Sequence, residues 1–127
     1  MNSSPTPRRV LIVDDNEDAA NSLAMLLKLG GHETVSVYSA DEALSQAATF
    51  MPQVVLLDIG LPGMDGYEVA QQLREMPGLQ DIRLIAVTGY GQSEDRLRAR
   101  EAGFDAHLVK PVEFAVLERT LAGIQGL

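Results

Sequence analysis

The amino-acid sequence predicts an α/β fold: five βα units, (βα)5, in a doubly wound parallel sheet with strand order 2-1-3-4-5. Three observations carry that prediction. Short apolar runs alternate with segments of helical periodicity along the whole chain. Three of the runs are continuously apolar, as strands covered on both faces are. Two further strand segments mix polar and apolar residues, which places them at the edges of the sheet. Alternating β and α segments with buried strands imply parallel pairing, with helices on both faces.

The first strand is Val10-Leu11-Ile12-Val13. Ala20, Leu23, Ala24 and Leu27 then repeat at helical spacing and stop at Gly30-Gly31, a natural helix end. Glu33-Thr34-Val35-Ser36-Val37 alternates in polarity, so the second strand is an edge. Ser39 with Glu42 has the spacing of a capping box and opens the second helix. Val54-Val55-Leu56-Leu57 is the third strand, and Asp65 with Glu68 opens the third helix. Leu84-Ile85-Ala86-Val87 is the fourth strand, followed by a helical pattern from about Glu94 to Ala102 that ends at Gly103. The mixed segment Asp105-Ala106-His107-Leu108-Val109 is the fifth strand and second edge, and a last helix runs from about Glu113 to Ala122. The domain spans 9–123, with 1–8 a flexible tail or linker stub and 124–127 a C-terminal tail.

The 127 residues suit one domain, which at that size buries roughly two-thirds of its unfolded surface. With no cysteine, neither a disulfide nor a thiolate metal site can form, which fits a reducing, cytoplasmic setting. A net charge of −8 argues against direct contact with nucleic acid, whose phosphates need clustered Lys and Arg. Arg96, Arg98 and Arg100 are interleaved with Glu94, Asp95 and Glu101, and read as a self-paired, solvated helix face. No apolar stretch approaches the ~20 residues of a membrane span, and the start lacks the apolar core of a signal peptide.

In an open parallel sheet, ligands bind beyond the carboxyl ends of the strands. The residues falling there are Asp14-Asp15 after the first strand, Asp58 after the third, Thr88-Gly89 after the fourth and Lys110-Pro111 after the fifth. Taken singly, each is an ordinary turn former, strand end or solvated charge. Their convergence is another matter, because neighbouring carboxylates resist ionisation together unless a cation is present. Mg²⁺, or Mn²⁺ in its place, is a hard cation that takes oxygen ligands and resolves the conflict. The cation points to phosphoryl transfer. A carboxylate can attack phosphorus to give an acyl phosphate, and metal, ammonium and hydroxyl neutralise the charge on the equatorial oxygens. Asp58 on the central strand is the nucleophile in this scheme. Asp14 and Asp15 hold the metal, and Lys110 and Thr88 each take a phosphoryl oxygen.

Val13-Asp14-Asp15, the run from Leu57 through Asp58 to Gly66, Thr88-Gly89 and Lys110-Pro111, in that order and spacing, resemble the response-regulator receiver family of two-component signal transduction. The resemblance covers roughly Arg9 to Ala122 and implies a flavodoxin-like sheet. It also implies that Asp58 is the phosphoacceptor, Asp15 a direct metal ligand and Asp14 its acidic neighbour. The main-chain carbonyl of Gly60 would be a third ligand, with Thr88 and Lys110 sensing the phosphoryl group across a cis Lys110–Pro111 bond. The donor would be the phosphohistidine of a sensor histidine kinase or histidine phosphotransfer domain. Phosphorylation would switch the face of the fourth helix, fifth strand and fifth helix for a downstream protein. Such a domain is no enzyme beyond its own phosphorylation and dephosphorylation.

The sequence departs from the family at His107, a switch position that usually carries Tyr or Phe. Gly60 and Tyr90 stand at variable positions that control water access to the acceptor. The Ile59-to-Met64 run and Thr88-Gly89-Tyr90-Gly91 look most similar to receivers attached to hybrid sensor kinases. The competing reading is a Mg-dependent phosphatase with an aspartyl nucleophile, which would want a second acid where Gly60 stands. A flavin-binding domain would want a phosphate-cradling loop where Asp14-Asp15-Asn16-Glu17 would repel phosphate.

Overall fold

A computed structural model describes residues 8–59, 65–89 and 103–123. The strands are β1 (Arg9–Val13), β2 (Glu33–Val37), β3 (Val54–Asp58), β4 (Arg83–Thr88) and β5 (Ala106–Val109). They form one sheet in the order β2-β1-β3-β4-β5, with every pair parallel. The described helices are α1 (Glu17–Leu29), α2 (Ala40–Phe50), α3 (Gly66–Glu75) and α4 (Phe114–Gly123). The helix expected over 94–102, with its arginines, lies outside the described residues, as do Gly60, Tyr90, residues 1–7 of the expected N-terminal tail and the C-terminal tail 124–127.

The sheet divides two apolar cores, and side-chain alternation along each strand feeds both. Leu11, Val13, Val55, Leu57, Leu84 and Ala86 pack with Ala43 and Ala47 of α2 and Val69, Ala70 and Leu73 of α3. Val10, Ile12, Val54, Leu56, Ile85 and Val87 pack with Ala20, Leu23, Ala24 and Leu27 of α1 and Leu117 and Leu121 of α4. This double burial is why the central strands read as unbroken apolar runs. β2 and β5, at the edges, each bury a single residue, Val37 and Leu108.

The helix ends explain their own sequences. Asn16 caps α1, accepting from the Ala19 N–H through Oδ1 at 3.1 Å. Ser39 caps α2, where its Oγ accepts from the Glu42 N–H at 3.2 Å, while the Glu42 carboxylate reaches the N–H of Tyr38 at 2.9 Å. Asp65 Oδ1 accepts from the N–H groups of Tyr67 and Glu68 at the start of α3. Gly31 has φ +90, a left-handed backbone that glycine adopts without a Cβ clash. A Cβ on Gly66 would lie 2.8 Å from the Ile59 Cα, so this glycine lets α3 start directly against the residue that follows Asp58.

Candidate functional site

The C-terminal ends of β1, β3, β4 and β5 bring Asp14, Asp58, Thr88 and Lys110 to one edge of the sheet. Asp58 and Thr88 are the last residues of their strands rather than the first beyond them. Asp14, Asp58 and Thr88 are all buried, at 2%, 6% and 4% exposure, whereas Asp15 faces solvent. Buried carboxylates require a partner, and here one side chain serves both. Lys110 Nζ lies 2.6 Å from Asp58 Oδ2 and 2.7 Å from Asp14 Oδ2. The other oxygen of Asp14 is held by the Asn16 N–H at 3.0 Å, so the residue that caps α1 also orients this carboxylate.

Lys110 registers the arrangement electrostatically. Burial is the largest single influence and acts to lower its pKa. Hydrogen bonds to Asp14 and Asp58, with the charges of both, outweigh that effect and hold it above its ordinary value of 10.5. The ammonium therefore stays charged while it binds both carboxylates. Its position is fixed by the chain on either side: the Lys110 N–H donates to the Thr88 carbonyl at 2.7 Å, and the Lys110–Pro111 peptide is cis.

Thr88 Oγ1 lies 3.2 Å from His107 Nε2. Register accounts for the contact. His107 pairs with Ala86, and Thr88, two residues on, presents its side chain on the same face. The sequence placed both residues near the site, but not in direct contact. That contact depends on side-chain rotamers, which strand parity does not specify.

Among the described residues, no three acidic or imidazole side chains are gathered closely enough to make a metal centre by themselves. The donor chemistry still fits Mg²⁺, which commonly takes one or two carboxylates and keeps several waters. Asp14 and Asp58 aim hard oxygens at a shared point, now met by the Lys110 ammonium. Asp15 stands exposed beside them, and Gly60 lies outside the described residues.

The profile described as "Response regulator receiver domain" matches residues 10–122. The polar-differentiation response regulator DivK of Brucella anthropi is 33% identical over 120 residues, covering 94% of this chain and 98% of DivK. The transcriptional regulatory protein PrrA of Mycobacterium bovis is 37% identical over 117 residues, which are 92% of this chain but 49% of PrrA. The crystal structure of a CheY-like response regulator receiver domain protein from Methanospirillum hungatei superposes with a TM-score of 0.81 at 30% identity, covering 92% of each chain. No described helix is long and apolar enough to cross a membrane. A profile match across nearly the whole chain, joined to this sheet order, shows that the chain belongs to the response regulator receiver domain family of two-component signalling.

Proposed function

We propose that this domain accepts a phosphoryl group on Asp58 from a phosphohistidine of a sensor histidine kinase or histidine phosphotransfer domain. The observation that carries this reading is Lys110, whose one ammonium grips Asp58 at 2.6 Å and Asp14 at 2.7 Å at the ligand-binding end of the sheet. In the transfer, a carboxylate oxygen of Asp58 forms a bond to phosphorus while the phosphorus–nitrogen bond of the donor breaks, and the donor imidazole leaves. Lys110 neutralises charge on one phosphoryl oxygen. The Thr88 hydroxyl donates its hydrogen to another. Asp14 and Asp15, with Asp58 and the carbonyl of Gly60, are assigned to Mg²⁺ or Mn²⁺. When bound, the cation would supply charge neutralisation between the carboxylate and the incoming phosphoryl group.

His107, in contact with Thr88, would carry the change outward to the face that includes β5 and α4, where a downstream protein docks. The domain works as a signalling switch rather than as a turnover enzyme. The Ile59-to-Met64 and Thr88-to-Gly91 runs further suggest a receiver carried by a hybrid sensor kinase, an assignment that the length of the gene decides. The domain reading is tested by incubation with a small phosphodonor and Mg²⁺, followed by intact mass. One added phosphoryl group in the wild type and none in Asp58→Asn supports it. Equal labelling of the two proteins removes Asp58 from the reaction.

A further inference from the structure

At the opposite end of the sheet from Asp58 lies a second buried titratable pair. His32, in the turn between α1 and β2, is 5% exposed, and its ring is enclosed by three parts of the chain. Its Nδ1 accepts from the N–H of Arg8, just before β1, at 3.1 Å. Its Nε2 lies 3.6 Å from Glu118 Oε2 on α4. Both of these facing atoms are shielded from solvent, and neither has a hydrogen-bond partner. Gly30 makes room for the carboxylate, since a Cβ there would stand 2.7 Å from Glu118 Oε2.

The direction of the Arg8 bond fixes the tautomer. A backbone N–H only donates, so Nδ1 presents its lone pair and the hydrogen of the neutral ring sits on Nε2, facing Glu118. At 3.6 Å that contact is too long for a hydrogen bond. A second proton can enter only at Nδ1, where it would confront the Arg8 N–H, donor against donor. Protonation must therefore break the bond to Arg8. It also converts the long neutral contact with Glu118 into an ion pair in a site from which water is excluded.

The other charged groups on the surrounding elements are Lys28 and, at the far end, Glu17 and Asp18 on α1, Glu33 on β2 and Arg119 on α4, all exposed, together with the half-buried Arg9 on β1 and the Arg8 side chain. Glu118 is the charged group at ion-pair distance from the ring.

We propose that His32 is a proton-operated latch: neutral, it ties the segment entering β1; protonated, it releases that segment and engages Glu118 on α4. The device links proton concentration to how α4 is held, and it stands independently of the phosphoryl chemistry at Asp58.

The test combines ¹⁵N NMR of the His32 ring with protection of the Arg8 amide against hydrogen exchange, each followed across pH. The wild type, Glu118→Gln and Gly30→Ala would be compared. Gly30 has φ −83, so alanine is tolerated by the backbone there while its Cβ displaces the Glu118 carboxylate. The expected result is an Nε2–H tautomer in the neutral ring and at least a tenfold loss of Arg8 protection in step with ring protonation. At a given acidic pH, both variants should carry a smaller fraction of protonated His32 and retain more Arg8 protection. An Nδ1–H tautomer in the neutral ring overturns the proposal. So does Arg8 protection that survives protonation, or equal protonation of His32 in all three proteins.

Discussion

Lys110 is where the electrostatics of the site can be read most directly. Its pKa is raised in the folded protein, so folding binds its proton more tightly than the unfolded chain does. The stabilisation from the Asp14–Lys110–Asp58 contacts is therefore fully present below the unfolded value of 10.5 and is lost as pH rises through the higher folded value. In metal-free solution, Lys110→Met should unfold at lower denaturant than the wild type up to about pH 10.5, and the gap should narrow above it. A gap unchanged through strongly alkaline pH would show that the ammonium charge is not what binds the two carboxylates. His107 makes a different prediction, because its ring meets the Thr88 hydroxyl. His107→Ala should accept a phosphoryl group at nearly the wild-type rate, yet show a smaller phosphorylation-dependent change in partner affinity. Outright loss of labelling would place the imidazole among the reacting groups. The placement of Asp58, Thr88 and Lys110 at one edge of the sheet was legible in the sequence because each falls at the end of a strand segment, apolar for the first two and mixed for Lys110, where this fold class places ligands. The double grip of Lys110 and the Thr88–His107 contact were not legible, because both depend on rotamers. His32 carried no signal at all, its role arising from the meeting of three segments distant in sequence.

Among the elements, the helix ends were written plainly where one residue type stands alone. Ser39 with Glu42 and Asp65 with Glu68 mark their helices, although the Glu42 carboxylate reaches back to the Tyr38 N–H as well as to the Ser39 hydroxyl. Asn16 was obscured because it sits among Asp14, Asp15, Glu17 and Asp18, any of which could cap a helix. The paired glycines after α1 looked equivalent in sequence and are not. Gly31 has the left-handed backbone, whereas Gly30 has an ordinary one and is small because Glu118 lies against it. Gly31→Ala should therefore destabilise the fold by about 1 kcal/mol in chemical denaturation. Any cost of Gly30→Ala should instead fall away in the Glu118→Ala background, where the new methyl group meets only the edge of the His32 ring, at a van der Waals distance of 3.4 Å. A Gly30→Ala cost that persists in that background would place the strain in the backbone. Strand limits also moved: β5 begins at Ala106, while Asp105 before it meets β4 through its N–H, which donates to the Leu84 carbonyl at 2.7 Å, and through its carboxylate, which accepts from the Leu84 N–H at 2.8 Å and from Arg74 at 3.0 Å.

For the whole molecule, the two-sided burial that made strand order readable also forces the polar strand ends together, so the fold and the site have one cause. Such an edge should bind its cation only when folded, and the thermal midpoint should rise with the logarithm of the Mg²⁺ concentration once that exceeds the dissociation constant. Coincident midpoints with and without millimolar Mg²⁺ would contradict the metal assignment, and Asp14→Asn should reduce any shift that is seen. The central claim is that Asp58 carries the phosphoryl group, and locating the group on the chain tests it most directly. After incubation with a small phosphodonor and Mg²⁺, an acyl phosphate can be trapped by hydride reduction and its position found by peptide mass. The account predicts one reduced carboxylate, at Asp58, dependent on the added cation; a stable label on any other residue, or no label in the presence of Mg²⁺, would contradict it.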